Sequence, residues 1–271
     1  MEETNTATEE LSITPRGKIP QEAVQGRNMI AVASGKGGVG KTWFSITLAQ
    51  ALSGMRCKTL LFDGDLGLAN VDIQLGLMVP HDLGSVITGE KTLNQIISHS
   101  NTGRFDVIAG RSGSAGLASM PIGRLQILGE DLSLISNSYD KVILDMGAGV
   151  ERPIRMLSSL ARKIIVICTE EPTSLTDAYA YIKIMTMQYP EHDINIVVNQ
   201  ANSEREGQRT YETLLKACQN FLHITPPLLG IIRRDTRVRD SIRNQLPLIS
   251  RYPTSDAAAD VIKIAKRLLA E

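Results

Sequence analysis

Apolar residues along this chain fall into short blocks that alternate with segments of helical periodicity. The blocks predict strands at residues 29–33, 58–62, 105–109, 141–144, 163–168, 194–198 and 228–232. Apolar positions three or four apart predict helices at residues 42–53, 122–136, 154–160, 175–188, 207–221, 237–243 and 255–270. Strands that are connected through helices form a parallel sheet. The pattern predicts an α/β fold with a single doubly wound, mostly parallel sheet and helices on both faces.

The first 27 residues differ in composition from the rest of the chain. They are rich in Glu, Thr, Pro and Gly and lack periodicity, which predicts a flexible tail. The first ten contain four glutamates and no apolar segment, so they do not form a secretory signal. No linker interrupts the pattern afterwards. Residues 28–271 are therefore predicted to form one domain.

Composition narrows the class of protein without naming a partner. The chain is 42% hydrophobic and 21% charged, with a formal net charge of zero, so bulk charge favours neither nucleic acid nor a membrane surface. Cys57, Cys168 and Cys218 are scattered, which predicts neither a disulfide framework nor a zinc site. No apolar run approaches the roughly 18–20 residues that span a bilayer. We expect a cytoplasmic protein.

A glycine-rich segment between the first strand and the first helix carries the strongest chemical signal. Residues 35–42 match the pattern G-x-x-x-x-G-K-[ST]. Its glycines allow backbone N–H groups to converge on phosphate oxygens at the helix N-terminus. Lys41 is expected to reach the β- and γ-phosphates, and the Thr42 hydroxyl to ligate Mg²⁺. The expected phosphate-binding residues of this nucleotide site are Gly35, Lys36, Gly37, Gly38, Val39, Gly40, Lys41 and Thr42.

Acidic residues follow two other predicted strands, at the edge where parallel sheets bind ligands. Asp63 and Asp65 are spaced i and i+2 and point the same way from an extended backbone. One is expected to hold the water shell of Mg²⁺ and the other to orient the attacking water. A solvated acidic turn is the alternative. Asp145 ends the strand at residues 141–144 and is expected to contact Mg²⁺ through water, with the glycines at 147 and 149 forming a switch loop.

With these motifs in this order, the chain resembles the deviant Walker A ATPases of the MinD/ParA family. The second lysine of the loop, Lys36, is the most specific match, and residues 63–72, 145–149, 171–178, 197–199 and 229–235 also match in order. The resemblance covers about residues 28–270. It implies a slow Mg²⁺-dependent ATPase that dimerises on ATP, with Lys36 crossing into the partner's site.

The same resemblance implies individual roles for site residues. Lys36, Lys41 and Asp65 would be the catalytic residues, with Asp65 positioning the attacking water. Thr42, Asp63 and Asp145 would form the metal site, and Asn199 would read the adenine edge. Residues 67–76 resemble the flagellar number and placement regulators most, and division-site regulators next. Two features depart from that subgroup: residues 1–27 contain no Asp-Gln-Ala motif, and a bulky residue, Trp43, follows the threonine.

Two surfaces have alternative interpretations. The helix at residues 255–270 has a wide apolar face and a basic side, so it either covers the sheet, which we favour, or binds lipid. Five arginines between residues 233 and 243 are offset by Asp235 and Asp240. They are typical of a solvated or partner-facing surface more than of a nucleic-acid site.

The leading functional prediction is an ATPase that regulates flagellar number or placement through a protein partner. It would be cytoplasmic, with a peripheral position at the inner membrane or cell pole as an alternative. A division-site or partition ATPase of the same family is the second hypothesis. A P-loop synthetase is the third, although such enzymes normally lack a lysine at the position of Lys36. A nitrogenase-reductase-like carrier needs paired cysteines near the switch loop, which this sequence lacks.

Overall fold

The computed structural model describes residues 26–65, 67–110 and 120–270. The strands are β1 (Gly26–Ser34), β2 (Thr59–Gly64), β3 (Ser98–Ser100), β4 (Phe105–Ile108), β5 (Lys141–Ala148), β6 (Ala161–Cys168), β7 (Asp193–Ala201) and β8 (Leu228–Arg233). The helices are α1 (Lys41–Gly54), α2 (Val71–Leu75), α3 (Leu83–Ile87), α4 (Ile122–Ser136), α5 (Arg152–Ser158), α6 (Pro172–Gln188), α7 (Glu204–Leu222), α8 (Thr236–Arg243), α9 (Leu248–Arg251) and α10 (Asp256–Ala270). A 3₁₀-helix covers Leu93–Ile96.

The strands form one sheet in the order β3-β4-β2-β5-β1-β6-β7-β8. Every neighbouring pair is parallel except β3 with β4, which are antiparallel. β1 lies between β5 and β6, so the loop that follows it opens near the middle of the sheet. This arrangement confirms the predicted doubly wound, mostly parallel α/β fold.

Both faces of the sheet are covered, because alternate residues of each strand enter different cores. Along β1, Met29 and Ala31 join one core while Ile30 and Val32 join the other. Helices α1 and α10 pack on the second face, and α4 to α7 on the first. The apolar side of α10 is buried there through Ala258, Val261, Ala265 and other residues, as expected for a helix that covers the sheet.

The structure corrects several predicted boundaries. β5 continues to Ala148, so residues 145–147 lie in the strand and only the segment around Gly149 remains as a loop. Helix α6 begins at Pro172 instead of residue 175, with the proline in its first turn. Helix α7 begins at Glu204 instead of 207, because the Ser203 hydroxyl caps its first turn by accepting the N–H of Glu206. Of the predicted tail, Gly26 and Arg27 begin β1, and residues 1–25 lie outside the described residues.

Short elements between residues 83 and 100 were not predicted. Helix α3 begins where Asp82 caps its first turn, accepting a hydrogen bond from the Gly84 N–H. Thr92 and Gln95 form a capping box at the 3₁₀-helix, a spacing that is visible in the sequence. The three polar residues of β3 have no strand pattern, and they are extended because they pair with β4.

Candidate nucleotide site

The loop between β1 and α1 has a backbone that only glycine adopts easily. Gly38 and Gly40 have φ angles of 80° and 93° in the left-handed region. A Cβ on Gly35 would clash with the main-chain oxygen of Asp177 in α6. The loop is therefore shaped by its own glycines and by close contact with α6, as a phosphate-binding loop requires.

A buried amide fastens this loop to the end of β7. Asn199, 4% exposed, donates from Nδ2 to the carbonyl oxygen of Val39 at 2.7 Å. Its Oδ1 accepts the backbone N–H of Gln200 at 2.9 Å. Asn199 was expected to read the adenine edge. In the structure it holds the loop, and the adenine role stays a prediction.

Three predicted site residues converge at the start of α1. Ser45 donates to Oδ1 of Asp145 at 2.8 Å, while Oδ2 of this buried carboxylate has no hydrogen-bond partner among the described residues. Burial raises the pKa of Asp145 to about 6, opposed by the charge of Lys41 and the hydroxyl groups of Thr42 and Ser45. Lys41 and Thr42 therefore lie close enough to act on the same ligand as Asp145.

Asp63 lies beside Asp145 and organises the loop after β2. The two residues are register partners on adjacent strands. Asp63 Oδ1 accepts the N–H of Asp65 at 3.2 Å, and Oδ2 accepts those of Asn70 and Val71 at 3.0 Å each. Burial and the charge of Asp145 raise the pKa of Asp63 to about 8, while the three backbone N–H groups lower it. These contacts favour Asp145 over Asp63 as a direct metal ligand.

The expected water-positioning residue lies between the two acidic loops. Asp65 Oδ1 accepts the N–H groups of Gly67 and Leu68, at 3.3 and 2.9 Å. The same oxygen lies 3.4 Å from the position a Cβ on Gly147 would take. Asp65 therefore lies beside the end of β5, where it is placed to respond to the same ligand as Asp145.

Lys36 is held within its own chain. Its ammonium lies 2.5 Å from Glu171 Oε2 and 2.7 Å from Thr173 Oγ1, at the N-terminus of α6. The hydrogen bond and charge of Lys36 lower the pKa of the Glu171 carboxyl. If Lys36 is to reach a neighbouring subunit, it must first break its contacts with Glu171 and Thr173.

The residues present fit Mg²⁺ only together with a phosphate ligand. Among the described residues, no cluster of three or more His, Cys, Asp or Glu side chains is arranged to hold a metal ion. Mg²⁺ is commonly bound by one or two carboxylates together with substrate phosphates and water. The unpaired oxygen of Asp145 and the nearby Thr42 hydroxyl match that donor set.

A cavity of about 410 Å³ lies next to the loop. Its wall combines Gly38 and Gly40 of the loop with Trp43 of α1, Asn199 and Gln200 of β7, and residues 232–236, 238, 239 and 242 around α8. This volume lies within the range of about 300–1,000 Å³ typical of small-molecule sites. Phosphates on the loop would place the rest of a nucleotide in this cavity.

The arginine-rich segment is engaged largely within the chain. Arg233 forms a two-bond pair with Asp260 and also contacts Asp256. Arg237 pairs with Asp235. These carboxylates offset the charges of Arg233 and Arg237, and the solvated or partner-facing surface expected from the sequence stays a prediction. Within the described residues, no helix has both the length and the apolar composition to cross a membrane.

Sequence reasoning missed the side chains that support the predicted residues. Ser45 lies one helical turn after Thr42, a spacing that places it on the same face of α1 and could have been noticed. The contacts of Glu171 and Thr173 with Lys36 join positions more than 130 residues apart, and local pattern carries no signal for them.

Comparison with known proteins agrees with this geometry. The family model "CobQ/CobB/MinD/ParA nucleotide binding domain" matches residues 30–248. The chain is 32% identical to the antiactivator FleN of Pseudomonas aeruginosa over 89% of this chain and 85% of the relative. It is 29% identical to the flagellum site-determining protein YlxH of Helicobacter pylori, over 89% and 82% of the two chains.

A solved structure shares the fold at similar coverage. It is the septum site-determining protein MinD of Pyrococcus horikoshii in complex with Mg-ADP, with a TM-score of 0.75, 26% identity, and coverage of 90% of this chain and 97% of that one. The family model agrees with the predicted nucleotide-binding P-loop class, and the ligand of the MinD structure is Mg-ADP. The chain belongs to the CobQ/CobB/MinD/ParA family of nucleotide-binding domains, on its MinD/ParA side.

Proposed function

We propose that this chain is an ATP-driven dimerising switch that controls flagellar number or placement through a protein partner. The convergence of Lys41, Thr42 and the unpaired oxygen of Asp145 at a glycine loop carries the nucleotide part of the proposal. The flagellar part is supported by the two relatives whose names refer to flagellar control, each matching 89% of this chain.

Each site residue has a definite task in this proposal. The loop N–H groups and Lys41 hold the phosphates, and Thr42 and Asp145 hold the metal, which neutralises phosphate charge when bound. Asp63 keeps the β2 loop closed through its backbone contacts. Asp65 orients the attacking water where the two acidic loops meet.

Dimerisation would use Lys36. ATP binding draws this lysine away from Glu171 and into the phosphate site of a second subunit. The segment after Asp65 exposes apolar side chains, with Leu68 73%, Ile73 53% and Met78 98% exposed. Exposed apolar side chains are one feature of protein-binding surfaces, and these lie along the loop that follows β2. Ordering of this segment around ATP would therefore form the partner's binding face, and hydrolysis would release it.

Two experiments test the proposal at different levels. Calorimetry should show Mg-ATP binding to the wild type and none to Lys41→Ala, while Lys216→Ala, which removes an exposed lysine of α7, binds normally. Unchanged ATP affinity in Lys41→Ala would refute the site.

Deletion of the gene should change the number or position of flagella, and complementation with Lys41→Ala should not restore them. A division-site role is the second candidate, because MinD of Bacillus subtilis is 28% identical over 89% of this chain. Misplaced septa with normal flagella after deletion would favour that role over the flagellar one.

A further inference from the structure

Trp43 occupies an unusual place beside the phosphate loop. It lies two residues after Lys41 in the first turn of α1 and is 5% exposed. It is the chain's single tryptophan. Its ring belongs to the core that contains Ile232, with Val238 and Ile242 of α8 packed against the same core. All four residues line the cavity next to the loop.

The polar atom of the indole lacks a hydrogen-bond partner among the described residues. Trp43 Nε1 is buried and makes no hydrogen bond to any described residue. A buried tryptophan normally finds an acceptor for this N–H, because burial of an unpaired donor is unfavourable. Neither packing nor the phosphate chemistry of the loop accounts for a donor left unpaired at the wall of a cavity.

The position of Trp43 relative to the loop determines what it can meet. Phosphates held by the loop lie at the N-terminus of α1. A nucleotide that extends from there into the cavity places its sugar and base beside the wall that Trp43 forms. An indole offers a planar face to a base, and such stacking tolerates any base because each has a π-face.

We propose that Trp43 is a nucleoside-binding residue of this site: its ring forms the wall against which the sugar or base packs, and binding turns its buried N–H toward an acceptor on the ligand. The inference rests on the proposed function, because the loop must hold the phosphates. It adds a residue that distinguishes a nucleotide from a bare polyphosphate.

Affinities for Mg-ATP and for Mg²⁺ with inorganic tripolyphosphate separate this role from a purely structural one. Trp43→Leu should weaken Mg-ATP binding by at least about fivefold, on the scale of base–aromatic stacking. It should leave tripolyphosphate affinity within about twofold, since that ligand lacks a base. Trp43→Phe keeps an aromatic ring and should fall between wild type and Trp43→Leu.

The emission of the single tryptophan gives a second readout that needs no substitution in the site. Saturating Mg-ATP should change the fluorescence of the wild type more than tripolyphosphate does. The control is Phe221→Trp in the Trp43→Phe background. Phe221 is 73% exposed and lies at the C-terminal end of α7, whereas the N-terminal end of α7 follows the β7 residue that contacts the loop. A tryptophan introduced at position 221 should therefore not change its emission when the nucleotide binds.

The outcomes separate the inference from the proposed function. If wild type binds no Mg-ATP, both fail. Suppose instead that wild type binds Mg-ATP. If Trp43→Leu and Trp43→Phe then bind Mg-ATP as tightly as wild type does, only the role of Trp43 is refuted. The same holds if the variants lose affinity for Mg-ATP and for tripolyphosphate by the same factor. Unaltered emission at saturating Mg-ATP also refutes it, even if a variant fails to fold.

Discussion

The contact between Asn199 and the phosphate loop leads to a prediction that separates two roles for one residue. Asn199→Ala removes the hydrogen bonds to the Val39 carbonyl and from the Gln200 N–H. Each is worth about 0.5–1.5 kcal/mol, so the free energy of unfolding should fall by about 1–3 kcal/mol. In a domain of this size the melting temperature drops by about 2–4 °C per kcal/mol.

The assay combines thermal melting with calorimetric titration of Mg-ATP and of tripolyphosphate. A residue that holds the loop affects both ligands, because the loop binds phosphate in either case. A residue that only reads adenine affects ATP alone and leaves stability unchanged. We expect Asn199→Ala to lose stability and to weaken both ligands.

Asn199→Asp is the matched control for this prediction. It keeps the size of the side chain and the acceptor for the Gln200 N–H, but it places a carboxylate against the Val39 carbonyl oxygen. It should weaken phosphate binding at least as much as alanine does, through charge repulsion. If Asn199→Ala melts like wild type and binds tripolyphosphate normally, the loop-holding role is wrong.

Three further predictions concern the charged residues of the site. Lys36→Ala should bind Mg-ATP yet remain monomeric in sizing experiments, and a dimeric Lys36→Ala would contradict this. Glu171→Ala, which removes the ion pair that holds Lys36, should dimerise at lower protein concentration than wild type. EDTA should weaken ATP binding by wild type, because it removes Mg²⁺, and Asp145→Ala should bind ATP equally weakly with and without EDTA. If EDTA weakens ATP binding by the same factor in both proteins, Asp145 is not a metal ligand. Burial and the charge of Asp145 raise the pKa of Asp63 to about 8 in the folded chain, against about 3.9 unfolded. Its contribution to stability is thus complete below about pH 4 and is lost as pH rises toward 8. Urea unfolding should show wild type losing stability relative to Asp63→Asn over this interval, and parallel pH profiles would refute the buried-charge argument.

The sequence predicts the sheet well because each long strand and helix has its own periodic pattern. All seven predicted strand blocks lie within observed strands or miss by one residue. The phosphate loop was equally predictable, since its glycines and lysine are contiguous. Its glycines permit the left-handed angles that Gly38 and Gly40 adopt.

Contacts between distant parts of the chain were not predictable in the same way. The pairs Asn199–Val39 and Lys36–Glu171 depend on strand order and helix placement, which bring together residues separated by 160 and 135 positions. The length of β5 was underestimated because Gly147 was read as a loop signal, whereas the pairing of β5 with β1 carries the strand to Ala148. Tertiary pairing outweighed local propensity there.

Light scattering of Asp65→Ala tests the central claim most directly, because this variant should bind ATP without hydrolysing it. The monomer mass is 29.6 kDa. We predict twice that mass with Mg-ATP, the monomer mass with Mg-ADP, and the monomer mass for Lys41→Ala in both. An Asp65→Ala protein of the same mass in both nucleotides would contradict an ATP-driven dimerising switch.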